Sequence, residues 1–197
     1  MYNIIFITHN KHKFEEAYEK AKLFNINLQW INLEYEEIQD DSLEEIARSS
    51  CLKILELRPD LKDKFFFVED AGLFINCLRG FPGPYSAYVF RTIGNWGILK
   101  LLHDVPDNER SAFFKSVIAY YHSGKIELFS GVIQGKIIKS LKGSQGFGFD
   151  PIFLPSGSNK TFAQMNKESK NLKGHRGKSL QELFTSLSKP PSSLKDR

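Results

Sequence analysis

Cysteine is nearly missing from this chain. Cys51 and Cys77 are the only two in 197 residues, and no CxxC pair occurs. That excludes a disulfide framework and a thiolate zinc site, and it fits a reducing compartment. No apolar run approaches the ~18 residues of a membrane span. The opening Met1-Tyr2-Asn3-Ile4-Ile5-Phe6-Ile7-Thr8 carries no basic segment and is too short for a secretory signal. A cytoplasmic protein is expected. Internal repeats are absent. Strong charge is lacking too: a net +4 and a pI near 8.9 fall short of a dedicated nucleic-acid binder. A complete Walker A motif is also missing. Gly174-His175-Arg176-Gly177-Lys178-Ser179 ends like one, but the glycine needed at position 172 is Leu172.

What remains is an ordinary globular composition, 41% hydrophobic and 25% charged, long enough for one domain with a sizeable core. Acidic residues gather early (Glu34, Glu36, Glu37, Asp40, Asp41, Glu44, Glu45) and basic ones late (Lys160, Lys167, Lys170, Lys173, Arg176, Lys178). The apolar run Ile4 to Ile7 predicts a strand buried on both faces, and Phe14, Ala17, Tyr18 and Ala21 predict a helix after it. Leu28 to Leu33 reads as a second strand. Ser42 to Leu57 reads as a helix, with Ser42 and Glu45 spaced as a capping box and Pro59 beyond its end. Phe65 to Val68 and Leu73 to Cys77 read as two further strands. Gly94 to His103 reads as a helix. Ala112 to Tyr121 and Ile126 to Ile133 form a hairpin pattern about Ser123-Gly124, with Gly135 to Lys139 as a third strand. Leu180, Leu183, Phe184 and Leu187 set a last helix, and the tail from Ser188 is expected to be disordered. The class is α/β with a mixed sheet.

Five segments carry candidate chemistry, each with a plainer alternative. Thr8-His9-Asn10-Lys11-His12-Lys13 is a strand-to-helix turn whose free N–H groups suit phosphate; it equally suits simple N-capping. Glu69-Asp70 follows an aromatic strand. Such a pair can share Mg²⁺ or serve as a general base, or can be an acidic turn. Glu45 is a second acid, already accounted for as a capping residue. Gly146-Phe147-Gly148-Phe149-Asp150-Pro151 lets backbone approach a ligand and offers rings for a nucleobase, or is a glycine turn with core aromatics. His175-Arg176-Gly177-Lys178 suits an anion, or is a basic helix start.

In order and at their spacing, Thr8-x-Asn10-x-x-Lys13, Glu45, Val68-Glu69-Asp70-Ala71-Gly72-Leu73, Phe81-Pro82-Gly83-Pro84-Tyr85-Ser86, Gly146 to Pro151 and His175 to Lys178 resemble the inosine triphosphate pyrophosphatase family. The resemblance spans roughly Ile4 to Leu187, and Tyr88 to Gly94 looks most like archaeal members. It implies an elongated mixed β-sheet with flanking helices, one two-lobed domain over residues 1–187, and substrate in the cleft between the lobes. It implies Mg²⁺-dependent hydrolysis of ITP, dITP and XTP to monophosphate and pyrophosphate by a homodimer, with no nucleic acid or membrane as partner. Carried over by position, Thr8, Asn10 and Lys13 would bind the triphosphate. Glu45 and Asp70 would hold Mg²⁺, with Asp70 also the base and Glu69 assisting. Phe149 would stack on the base, and Asp150, Lys170, His175 and Arg176 would surround base and phosphates. Gly174 stands where the family usually has serine, which removes one hydroxyl near the base. The main competing class is a nucleotide sensor without turnover.

Overall fold

The computed structural model describes residues 2–188. The chain opens as its pattern predicts. Strand β1 (Asn3–Ile7) leads into helix α1 (Lys11–Lys22), capped by Asn10, and then into β2 (Asn27–Ile31), which lies parallel to β1. Helix α2 (Leu43–Leu57) starts at Ser42, whose hydroxyl accepts the Glu45 N–H. Only half of the expected capping box forms. The Ser42 N–H donates to Asp40 at 2.7 Å, and the Glu45 side chain is left exposed.

Strand β3 (Phe66–Ile75) corrects the sequence reading, since it is one ten-residue strand where two were expected. Strand β5 (Ser111–His122) pairs with it along its whole length, from Phe66 opposite Tyr121 to Ile75 opposite Ala112. Glu69-Asp70 therefore sit in mid-strand and not at a strand end. They emerge beyond the end of β1 instead, because β1 and β3 stop pairing at Phe6 and Phe67. Gly72 permits the short β4 (Pro82–Gly83) to lie against β3: a Cβ at Gly72 would meet the Gly83 carbonyl oxygen at 2.3 Å.

Helix α3 (Ser86–Thr92) was not foreseen; α4 (Gly94–Leu101) was. Strand β6 (Lys125–Ile137) completes the hairpin with β5, and both turn residues, Ser123 and Gly124, have the positive φ that a two-residue hairpin turn demands. The separate strand expected at Gly135 is simply the end of β6. Strand β7 (Phe153–Pro155) and helix α5 (Lys167–Lys173) are too short to leave a periodic signal. Helix α6 (His175–Ser188) starts earlier than its apolar stripe. The expected tail beyond Ser188 falls outside the described residues.

The sheet order is β2-β1-β3-β5-β6-β7, parallel on one side of β3 and antiparallel on the other, with β4 on β3. This is the mixed α/β sheet that was expected. Strand alternation sorts the core. Ile4, Phe6, Phe67 and Ile118 pack with α1 and α6, through Ala17, Ala21, Leu180 and Phe184. Ile7, Phe66, Val68 and Val117 pack with α2 on the opposite face, through Leu43, Ala47 and Ile54. A third cluster, with Leu73, Ile98, Phe149 and Phe153, closes the far half of the sheet.

The close approach at Gly72 gives a direct test. Gly72→Ala places a methyl against backbone that cannot yield, so unfolding free energy should fall by roughly 2 kcal/mol or more. Urea denaturation of the two proteins measures it; an unchanged midpoint would refute the packing described.

Candidate active site

The pleat of β3 sends two adjacent carboxylates to opposite faces of the sheet. Glu69 follows Phe67 toward α1 and α6. Asp70 follows Val68 toward α2. They therefore do not form one acidic pair on one face, as sharing a single ion would require.

On the α1/α6 face Glu69 is almost fully buried and accepts the Ser116 hydroxyl at 2.6 Å, and Ser116 in turn bonds Ser179. The Lys13 ammonium reaches both the Glu69 carboxylate and its backbone carbonyl, each at 2.9 Å. The Arg176 guanidinium lies 3.2 Å from Glu69 and also bonds Glu16. Glu16 takes Lys170 at 2.9 Å, and Lys170 takes Asp150 at 2.6 Å. The result is an alternating chain: Lys13, Glu69, Arg176, Glu16, Lys170, Asp150. Burial pushes the Glu16 carboxyl up, but Arg176 and Lys170 outweigh it and hold the group at about 2. Burial likewise opposes Glu69, yet Arg176 and Lys13 keep it well below the usual carboxylate range. Arg176 is driven further above its ordinary value by Glu69 and Glu16 despite burial. Burial dominates at Asp150, which stays above the ordinary range even with Lys170 beside it.

Asp70 faces a different field. Burial raises its carboxyl to about 6, Lys13 pulls it down, and Glu37 and Glu69 push it up again. A carboxylate pressed by other carboxylates is a site short of positive charge. Its donors are hard oxygens, the kind a divalent cation such as Mg²⁺ takes. A second acid in this field is Glu37, in the segment between β2 and α2. Glu45, the other acid expected to hold the ion, is exposed on the first turn of α2.

The expected turn holds. The Thr8 hydroxyl accepts the Asn10 N–H, and Asn10 accepts the N–H groups of His12 and Lys13. Among the described residues the N–H groups of His9 and Lys11 have no acceptor, so they are free for an anion at the positive end of α1. Beside it is a cavity of about 480 Å³ lined by His12, Glu16, Phe147, Phe162, Lys170 and Asn171.

The glycine loop reverses the expected roles of its two rings. Gly146 and Gly148 both have positive φ and turn the chain so that Phe147 faces the cavity. Phe149 is 3% exposed and packs edge-on against Phe90 in the core, where no base can stack on it. Phe147 lies parallel to the His12 ring at 5.4 Å, with the Lys170 ammonium 4.5 Å from its centre. Asp150 is buried beside Lys170. It accepts the Phe147 N–H at 2.8 Å and so fixes the loop. His175 is stacked on Phe114, and burial together with Arg176 holds it neutral, at about 3. Its Nδ1 is buried without a partner among the described residues.

Sequence reasoning missed Glu16 and Ser116, and it named Glu37 only within the early acidic run and Phe147 only as one of two rings in the glycine loop. Glu16 left a faint signal, standing three residues after Lys13 beside the buried stripe of Ala17 and Ala21. Ser116 left none, because a serine inside an aromatic strand reads as a filler.

A mixed sheet with a buried ion lattice, free helix-start N–H groups and an aromatic-lined cavity defines a protein built for a small, phosphate-bearing aromatic ligand. This chain belongs to the Ham1 family, whose profile matches residues 4–186. It is 46% identical over 182 residues to the dITP/XTP pyrophosphatase of Hyperthermus butylicus, covering 91% of this chain and 92% of that one. It is 47% identical over 179 residues to the dITP/XTP pyrophosphatase of Thermococcus kodakarensis, covering 91% and 94%. Among solved structures, a HAM1 protein from Coxiella burnetii superposes with a TM-score of 0.78 at 27% identity, covering 95% of this chain and 99% of that one. The Staphylococcus aureus Ham1 protein gives 0.73 at 26%, covering 93% and 97%.

The strained ionisation of Asp70 has a consequence for stability. Its carboxyl is pushed up to about 6 in the folded chain from its ordinary 3.8, so ionised Asp70 destabilises the fold, fully so above pH 6. Asp70→Asn should therefore be more stable than wild type at pH 8, by roughly 1–3 kcal/mol. The gain should shrink as pH falls from 6 to 4, where wild-type Asp70 becomes neutral. Thermal melts of both proteins across that range test it; a mutant less stable at pH 8 would refute it.

Proposed function

We propose that this chain hydrolyses non-canonical purine nucleoside triphosphates, ITP, dITP and XTP, to the monophosphate and pyrophosphate, and so cleanses the nucleotide pool. The observation that carries the reading is Asp70: a carboxylate lifted toward neutrality beside a phosphate-suited turn, in a chain whose relatives are dITP/XTP pyrophosphatases along nearly its full length. With a cation beside it, the Asp70 carboxylate would be held ionised, the form in which a base takes a proton from water.

Each residue then has a task. Lys13 and the free N–H groups of His9 and Lys11 hold phosphate oxygens. Asp70 and Glu37 are the residues that would hold Mg²⁺, with Asp70 accepting the proton of the attacking water. When bound, the ion screens phosphate charge and draws electron density from the α-phosphorus. Glu69 positions Lys13 and Arg176. Phe147 offers its face to the purine. Arg176 and Lys170 are paired with the carboxylates of Glu69, Glu16 and Asp150, so they act on the substrate chiefly by holding the walls around it. No covalent nucleophile is needed, and Cys51 is a poor one: burial pushes its thiol up to about 12. The free thiols Cys51 and Cys77 suit a reducing compartment, and the nucleotide pool is cytoplasmic. Among the described residues no helix is long and apolar enough to cross a membrane.

Incubation with Mg²⁺ and ITP should release inosine monophosphate and pyrophosphate in equal amounts. ATP should be turned over far more slowly, because its 6-amino donor cannot replace the 6-oxo acceptor of hypoxanthine. Asp70→Asn should abolish turnover. Orthophosphate with the diphosphate as direct products, or equal kcat/KM for ATP and ITP, would overturn the reading.

A homodimer is part of the same reading. It is supported by apolar residues left exposed on and beside α3 and α4, namely Phe81, Tyr85, Tyr88, Ile93 and Trp96, the last 73% exposed. Light scattering at micromolar concentration should report twice the chain mass, and Trp96→Glu should shift it toward one chain. A wild-type monomer would count against a dimer.

A further inference from the structure

We propose that Trp30 is a positioning residue for the phosphate-facing turn, so that its indole N–H sets the affinity for the triphosphate. The inference rests on the triphosphate reading above. The β1–β2 ladder ends where the Thr8 N–H donates to the Ile31 carbonyl at 3.1 Å. Beyond that point the strand gives way to the turn, and the next carbonyl, that of Thr8, receives no backbone N–H among the described residues. The Trp30 indole N–H supplies the missing donor at 2.7 Å.

The placement of Trp30 follows from alternation. Leu28 and Trp30 are two residues apart on β2, so both face α1. Leu28 is buried there, while Trp30 is 38% exposed at the strand end. Its ring lies flat on Phe14, 5.0 Å between centres and 11° between planes. Phe14 is the neighbour of Lys13. One side chain therefore grips both ends of the turn: a hydrogen bond at Thr8 where it leaves the strand, and a stacked plate beside Lys13 where it enters the helix.

The turn has a second tie on its inner side, where Lys13 bonds Glu69. Between the two ties, the Thr8 hydroxyl and the Asn10 side chain bond only within the turn and the helix start. With the outer tie gone, the free N–H groups of His9 and Lys11 lose their fixed aim. A misplacement near ~1 Å at a binding group can cost up to ~10²-fold. A turn still held from inside by Lys13 should lose less.

Trp30→Phe separates the two contributions, because phenylalanine keeps the plate on Phe14 and deletes the donor. The turn meets phosphates, not the base. KM should therefore rise about three- to tenfold for ITP and for GTP alike, leaving their ratio unchanged, with the melting temperature close to wild type. The Kd for inorganic tripolyphosphate should weaken by the same factor. KM within twofold of wild type, or a fall in kcat and melting temperature at unchanged KM, would reduce Trp30 to a packing residue and overturn the proposal. The tripolyphosphate measurement separates the two readings. If the wild type binds it without hydrolysing ITP, and Trp30→Phe binds it more weakly, the positioning role stands and the pyrophosphatase reading falls. Equal tripolyphosphate affinity in both proteins overturns the positioning role whatever the enzyme does.

Discussion

The guanidinium of Arg176, buried between Glu69 and Glu16, is the contact on which the site depends. A charge taken that far from water is tolerable only with partners on every side. Glu69 and Glu16 supply them, and each then needs cations of its own, which draws in Lys13 and Lys170. Lys170 in turn holds Asp150, and Asp150 holds the Phe147 loop. From one buried charge the lattice therefore reaches the phosphate-facing turn at one end and the aromatic wall at the other. It also joins α1, β3, α5 and α6, four elements whose apolar faces alone would leave this edge of the sheet open.

Pairing costs the lattice its net attraction for anions. Lys13, Arg176 and Lys170 balance Glu69, Glu16 and Asp150, so these six side chains present no net charge. Asp70 and Glu37 add negative charge on the far face. On the proposed reading, a divalent cation at Asp70 would supply the counter-charge that these paired side chains do not.

Much of the fold was legible. β1, α1, α2, α4 and the β5–β6 hairpin follow from apolar periodicity and from Ser123-Gly124. The failures have a common origin. Glu69-Asp70 and Gly72 break the hydrophobic run, so β3 read as two strands; only pairing with β5, distant in sequence, carries it through. Within the site, the turn before Lys13 and the glycine loop form as their motifs suggest, and Asp70 lies in mid-strand where a strand end was expected. Phe149 is buried while Phe147, two residues earlier, faces the cavity, a choice that a linear motif cannot make. A motif gives the residue types present, whereas the pleat of a strand or the left-handed φ of a glycine decides which of two adjacent side chains faces the ligand.

Because β3 pairs with β5 along its whole length, the two acids stand on backbone tied into the middle of the sheet, although β1 has ended beside them. The opposite wall is made of other material: a helix start, a glycine loop and the short α5. Any breathing that admits or releases a ligand has to come from that wall, since opening β3 would mean breaking the sheet at its centre. The cleft thus works as an anvil and a hand. On the proposed reading the acids stay still, and the parts that would grasp the base and phosphates are the parts free to let go.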